Sequence, residues 1–262
     1  MRWVRYTDGA GTHYGQLEGE RIRRVTGSPF EGYAATEDWT TLGAVRLEVP
    51  VIPRTFYCAG LNYAEHAIEA ARKRGQEPRL PEQADIGYRA NNALVPHGHD
   101  VVIPPDARTI HYEGELVVVI GRQARHLTPA NALDCVLGYT IGNDVSERNW
   151  QRSDRTLWRA KNSDTFKPMG PWIETDFDPA GARTQVRVNG RTAIDFPTAA
   201  MIFDVPAFLC AMSRYLTLYP GDVVWMGTDG QSPDLHAGDV VEIEITGLGT
   251  LRNTFVQGQR DA

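Results

Sequence analysis

The chain has 262 residues, of which 42% are apolar and 23% charged; this is a globular balance, and it excludes disorder or coiled coil as a description of the whole. With 27 Lys and Arg against 33 Asp and Glu the formal charge is −6, which argues against nucleic acid as the main partner. Cys58, Cys135 and Cys210 are scattered and form no CxxC pair, so a cysteine zinc site is not indicated and a reducing compartment is suited. No apolar run approaches the roughly 18 residues of a membrane span, and MRWVRYTDGAGTHYG holds no apolar core of a signal peptide. A cytoplasmic protein without membrane contact is expected.

In chain order, Trp3–Tyr6 reads as a strand, Asp8–Gly11 as a turn and His13–Leu17 as the hairpin partner, with a further strand over Arg21–Val25. Residues 30–45 carry little pattern. Pro50 and Pro53 bracket a linker, dividing a small antiparallel β unit, 1–52, from a main body, 53–262. Phe56–Gly60 reads as a strand entering a glycine turn. Asn62 with Glu65 three residues on resembles a capping box, and Tyr63–Arg74 has helix-forming composition, stopped by Gly75 and Pro78. Residues 79–99 read as loop.

Leu116–Ile120 is a continuous apolar run closed by Gly121, which predicts a strand buried on both faces. Thr128 and Pro129 open a predicted helix through Val136. Gly138–Gly142 is a strand candidate. The polar stretch 147–168 is long for a structureless connection, which marks it as a functional loop. Arg183–Val188 followed by Asn189-Gly190 gives a hairpin signal. Val205–Tyr215 reads as a helix, and Val240–Ile245 alternates as a half-buried strand. Strands outnumber helices, so the expected class is a mixed, β-rich α+β fold.

Chemistry-bearing residues follow the same order. His66 and Glu69 are three apart and share a helix face; a His oriented by a carboxylate can serve as a general base, or the two can be an exposed helix pair. Glu113 and Glu115 alternate along a strand and so point to one side. Paired carboxylates there can hold a hard divalent cation, or lie at a solvated strand edge as Glu242 and Glu244 can. Asp144, ending the run Gly138–Asn143, is the natural third ligand or a turn residue. Arg148, Gln151 and Lys161 lie on the long polar segment and can bind an anion or stabilise an enolate, or can simply be solvated loop residues. Thr228, between Gly227 and Asp229, can offer a hydroxyl and an amide to a carboxylate, or belong to an ordinary turn.

The order of these segments carries a resemblance. Gly60-Leu61-Asn62-Tyr63 with His66 and Glu69 comes first. Tyr112-Glu113-Gly114-Glu115-Leu116, Gly138–Ser146, Lys161, Gly170-Pro171-Trp172 and Asn189-Gly190 follow. Pro220-Gly221-Asp222 with Gly227-Thr228, then Gly238-Asp239 and Gly247-Leu248-Gly249, complete the series. From about residue 55 to 255 it resembles the fumarylacetoacetate hydrolase family. The resemblance implies a β-roll-like catalytic domain with flanking helices, preceded by the small N-terminal domain of bacterial members, and a homodimer. It implies Mg²⁺ or Mn²⁺ on Glu113, Glu115 and Asp144. It implies a His66–Glu69 pair on a mobile helical lid, an active-site lysine at Lys161, and substrate contacts from Arg148, Gln151 and Thr228. Two positions depart from the pattern. Arg89 stands where many members have the lysine of Phe-x-Lys-Pro, and is assigned to substrate binding; the usual Gly-Thr-Pro is Gly-Thr-Asp at 227–229.

The implied reaction is metal-dependent hydrolysis of a C–C bond in a small 2-oxo or 1,3-diketo acid of acylpyruvate type. His66, oriented by Glu69, would activate water, and the enolate would be the leaving group. Decarboxylation of an oxaloacetate-like acid, or isomerisation of a 2-hydroxy-dienedioate, would use the same residues.

Overall fold

The computed structural model describes residues 1–73 and 75–259. Strands dominate, as the β-rich α+β expectation required, and they gather in two main sheets. The larger, of twelve strands, begins at the N-terminal meander: Gly32–Thr41, Arg21–Ser28, Gly11–Glu18 and Arg2–Asp8. Arg2–Asp8 then pairs antiparallel with Lys167–Glu174 through Arg2↔Glu174 and Trp3↔Ile173, so the small N-terminal unit extends the main sheet. From there the sheet continues through Val136–Asn143, Gly114–Ile120, Val223–Trp225 and Phe56–Ala59 to the edge strand Ile86–Tyr88. A five-stranded sheet runs in the order Arg191–Pro197, Arg183–Val188, Val240–Ile245, Gly249–Gln257, Asp100–Ile103. Among the described residues four α-helices accompany the sheets: α1 (Ala64–Lys73), α2 (Arg148–Ser153), α3 (Trp158–Asn162) and α4 (Val205–Ser213). Among the described residues no helix is long and apolar enough to cross a membrane.

The strand Gly114–Ile120 is buried throughout, as its unbroken apolar run predicts. Its alternate residues feed two cores. Leu116, Val118 and Ile120 join Ile243, Leu251 and Phe255 of the five-stranded sheet and Phe208 of α4. Val117 and Val119 face the other way, with Phe56, Val223 and Trp225. Side-chain burial on this scale is the main stabilising term of such a fold. One glycine is required by packing: a Cβ on Gly142 would stand 2.6 Å from the Trp225 ring, so only a glycine leaves room for the indole there. Asn189 and Gly190, at φ 52° and 74°, make the two-residue turn between Arg183–Val188 and Arg191–Pro197, the left-handed pair that a type I′ hairpin needs.

Several local expectations are corrected. Residues 32–41 form a strand, hidden in the sequence because this edge of the sheet leaves nearly every side chain exposed and no alternation is written. The helix expected over 128–136 contracts to one 3₁₀ turn, Ala132–Cys135, and Val136 already begins a strand. Asn131 Oδ1 accepts from the Thr128 amide, so the turn starts three residues late. Asn62 does not cap α1: its Oδ1 accepts from Phe203 N and its Nδ2 donates to the carbonyls of Phe203 and Met226. The expected loop 79–99 contains the short strands Ile86–Tyr88 and Leu94–Pro96, and 147–168 is organised as α2 and α3. Arg74, the last residue of the expected first helix, lies outside the described residues.

Candidate active site

The end of Gly114–Ile120 carries Glu113 and Glu115, and the neighbouring strand Val136–Asn143 delivers Asp144. The register Gly114↔Asn143 sets the two ends side by side. Two hydrogen bonds lock the corner: Asp144 N donates to Glu113 O at 2.9 Å, and Glu113 N donates to Asn143 Oδ1 at 3.0 Å. All three carboxylates are buried, and each offers an oxygen within 4.8 Å of the others. The alternation read from the sequence therefore places both glutamates together, and Asp144 joins them.

Cations surround two of the three. Lys161, on α3, donates to Glu113 Oε2 and, at 2.9 Å, to Asp144 Oδ2. Arg148, the first residue of α2, pairs with Glu113 Oε1 at 2.7 Å. Arg89 grips Asp144 with two bonds, Nε to Oδ1 at 3.1 Å and Nη2 to Oδ2 at 2.8 Å. Lys167 pairs with Asp144 Oδ1 at 2.7 Å and donates to the carbonyls of Val145 and Phe166. Burial opposes charge on Glu113, yet Lys161 and Arg148 outweigh it and hold its carboxyl near 2. Burial likewise opposes charge on Asp144, and Arg89, Lys161 and Lys167 together hold it well below the usual range. Burial lowers the Lys167 ammonium to about 8 against the pull of Asp144.

Glu115 differs. Among the described residues no Lys or Arg forms an ion pair with it; its Oε2 accepts from Gly227 N at 2.8 Å. Burial, then the Asp144 and Glu113 charges, push its carboxyl up to about 8. A buried carboxylate without a cation beside it is costly, and a divalent cation touching all three groups would supply the missing charge. The donor set, three carboxylates and no sulfur or imidazole, suits a hard ion such as Mg²⁺ or Mn²⁺. The residues present thus fit such a metal.

A pH dependence follows. Between 4.5 and about 8 the folded chelated protein keeps a proton on Glu115 that the unfolded chain has released. Folded protein then binds more protons than unfolded, so stability falls as pH rises through that window. Glu113 and Asp144, shifted the other way, give a contribution already complete above the usual carboxylate range and lost only on acidification. Denaturant melts of the chelated protein should therefore show a decline toward pH 8 that Glu115→Gln removes. An unchanged slope in that variant would contradict the assignment.

α1 brings His66 to the same site. Its Nδ1 lies 3.0 Å from the carbonyl oxygen of Gly230. A carbonyl can only accept, so Nδ1 carries the proton and, in the neutral ring, Nε2 keeps the lone pair. Glu69 lies one turn further along α1 on the same side of the helix. The loop that supplies Gly230 starts at Gly227-Thr228, where Thr228 is buried and its Oγ1 donates to Asp229 O at 3.4 Å. The loop is also fixed to the carboxylate strand: Tyr112 N donates to Ser232 Oγ and Tyr112 Oη to Gln231 O.

Residues that the sequence does not single out also join the site: Lys167, His111, Asp234 and Glu147. Arg148 donates from Nε to His111 Nδ1 at 3.0 Å and from Nη1 to Gln151 Oε1 at 2.8 Å. Since guanidinium only donates, His111 accepts at Nδ1, and its Nε2–H donates to Asp234 Oδ1 at 2.8 Å. Asp234, His111 and Arg148 thus form a chain ending on Glu113. The signal for His111 was present in the alternation 111, 113, 115. Glu147 anchors this wall: fully buried, it accepts from the amides of Arg108, Thr109 and Trp150, which caps α2 and aims Arg148. The structure thus gathers Arg89, Glu113, Glu115, Asp144, Arg148, Gln151 and Lys161 in one polar network. Thr228 is tied to it through the Gly227 amide, and His66 through the 228–234 loop.

The chain resembles known proteins along nearly its whole length. The profile of the fumarylacetoacetate (FAA) hydrolase C-terminal family matches residues 55–256, and that of the Rv2993c-like N-terminal family matches residues 1–50. Protein Rv2993c of Mycobacterium tuberculosis is 38% identical, the match covering 98% of each chain. The crystal structure of 5-carboxymethyl-2-hydroxymuconate delta-isomerase from Mycobacterium smegmatis superposes with a TM-score of 0.89 at 35% identity, over 98% of this chain and 100% of that one. Maleylpyruvate hydrolase from Sphingobium sp. SYK-6, in complex with manganese(II) and pyruvate, superposes with a TM-score of 0.80 at 26% identity, over 99% and 100%.

Proposed function

The chain belongs to the fumarylacetoacetate hydrolase family, and from that premise we propose that it transfers protons on a small 2-oxo or 1,3-diketo acid by way of its enolate, as an isomerase or tautomerase. The observation that carries this reading is the hydrogen bond from His66 Nδ1 to the Gly230 carbonyl, which leaves Nε2 as a base of fixed orientation. When bound at Glu113, Glu115 and Asp144, Mg²⁺ or Mn²⁺ would act as a Lewis acid toward the substrate's oxygens.

The chain's own residues do the rest. Nε2 of His66 takes a proton from the carbon next to the 2-oxo group, and the electron pair moves onto the carbonyl oxygen. The same ring returns the proton to the enolate oxygen, or to another carbon where the chain is conjugated, so no atom is gained or lost. Lys161 holds the developing negative charge, being 4% exposed and already fixed between two carboxylates. Arg148, steadied by His111, Gln151 and Glu113, binds a substrate carboxylate, and Thr228 lines the approach from the 227–234 loop. Glu69 supports the placement of His66 from the same helix.

The isomerase reading is favoured by the M. smegmatis relative, which matches over nearly the whole of both chains. C–C hydrolysis is the second reading, favoured by the maleylpyruvate hydrolase structure. There Nε2 would take its proton from a water attacking the second carbonyl, and the enolate would leave as its C–C bond broke. Ultraviolet and NMR analysis of a small acylpyruvate and of oxaloacetate, with Mg²⁺ and after chelation, tests both. Chelator-sensitive enol–keto interconversion without fragments is the expected result. Two acid products would move the assignment to hydrolysis, and no change in either substrate would contradict the reading.

A further inference from the structure

Asp144 receives more hydrogen bonds than a metal ligand can keep. Its Oδ1 faces Arg89 Nε and Lys167 Nζ, and its Oδ2 faces Arg89 Nη2 and Lys161 Nζ. A carboxylate has two oxygens and about four lone-pair positions, so all are engaged. A cation ligated by Asp144 needs one of them, and one nitrogen must then withdraw.

The three cations differ in their freedom to do so. Lys167 is 0% exposed, and its three N–H groups meet Asp144, Val145 O and Phe166 O, so it has no other place to go. Lys161 is held from a second side by Glu113. Arg89 is the most exposed of the three at 8%. It directly follows the edge strand Ile86–Tyr88, and its Nη1 keeps an independent anchor on Tyr88 O at 3.0 Å. Its guanidinium can turn away without stranding its backbone, whose amide stays on Phe56 O.

We propose that Arg89 is a built-in competitor for the metal site: its fork occupies Asp144 until a divalent cation displaces it, and the released Nε–Nη2 edge then becomes the binding group for a substrate carboxylate. This rests on the reading that Glu113, Glu115 and Asp144 hold a divalent cation. The fork that grips Asp144 has the geometry that grips any carboxylate in two parallel bonds, so one side chain serves both partners in turn. Binding is thereby ordered, metal before acid. A lysine at this position would offer a point charge in place of the planar fork and would hold the ligand less firmly.

The sign of one measurement separates this from an ordinary supporting role. Removing a residue that merely orients a metal ligand typically weakens metal binding by about 10–100-fold. Removing a competitor tightens it. Mn²⁺ affinity, read by electron paramagnetic resonance at one fixed pH on chelator-treated protein, should rise roughly tenfold in Arg89→Gln, with Arg89→Lys between it and the original chain. The Arg89 Nε–H signal in a nitrogen-15 NMR spectrum, assigned by its loss in Arg89→Gln, should move on Mg²⁺ saturation. Equal or weaker Mn²⁺ binding in both folded variants, or an Nε–H signal indifferent to Mg²⁺, would overturn the proposal and leave the metal site standing. Absence of Mn²⁺ binding in the original chain and in both variants would overturn the metal reading itself.

Discussion

Replacing Asp144 with alanine is expected to destabilise the chelated protein by about 3–5 kcal/mol, the usual cost of stripping the partner from buried charges. Arg89 and Lys167 would each lose the carboxylate with which they pair, the only one for either among the described residues, and Lys167 is fully buried. Lys161 would keep Glu113. Glu115→Gln is the matched control, because no lysine or arginine among the described residues pairs with Glu115 and its carboxyl already resists ionisation. That variant should gain up to about 2 kcal/mol at pH 6 under the same conditions, because burial no longer forces a proton onto residue 115, while both variants lose Mn²⁺ affinity. Urea unfolding with chelator present checks the contrast. Equal stabilities for the two variants would show that the cations around Asp144 do not depend on it.

The second large effect concerns His66. Its replacement by alanine should lower kcat by roughly 10²–10⁴-fold, the range for loss of a positioned general base, with Mn²⁺ affinity unchanged. His66 makes no bond to any of the three carboxylates; its Nδ1 partner is the Gly230 carbonyl. A variant with unaltered kcat and a raised KM would instead make His66 a binding residue, since uniform binding is lost in KM alone. Steady-state kinetics and a Mn²⁺ titration on the same preparation distinguish the outcomes.

Much of this site was legible because it lies close to regular strands. The alternation of Glu113 and Glu115 ahead of an apolar run gave one face, and the run itself gave a strand buried on both sides. Arg148, Gln151 and Lys161 fell on a polar stretch too long to be idle. What escaped is what the fold brings from a distance. Asp234 reaches His111 across 123 residues, and neither residue carries a local sign of the other. Lys167 opens the strand Lys167–Glu174, where only the three-dimensional neighbourhood of Asp144 explains a buried ammonium. Asn62 read as a helix cap because its spacing to Glu65 is right, but tertiary contacts to residues 203 and 226 claimed its side chain. Gly32–Thr41 was missed for the opposite reason: an exposed edge strand need not alternate.

The central step is removal by His66 of a proton beside a 2-oxo group at the Glu113–Glu115–Asp144 centre. Proton NMR of 2-oxobutyrate in D₂O, with the protein and Mg²⁺ or Mn²⁺, reads that step whatever the later fate of the enolate. The prediction is deuterium entry at the carbon next to the oxo group, stopped by chelation and by His66→Ala. Exchange no faster than in buffer with the metal alone, or undiminished in His66→Ala, would contradict it.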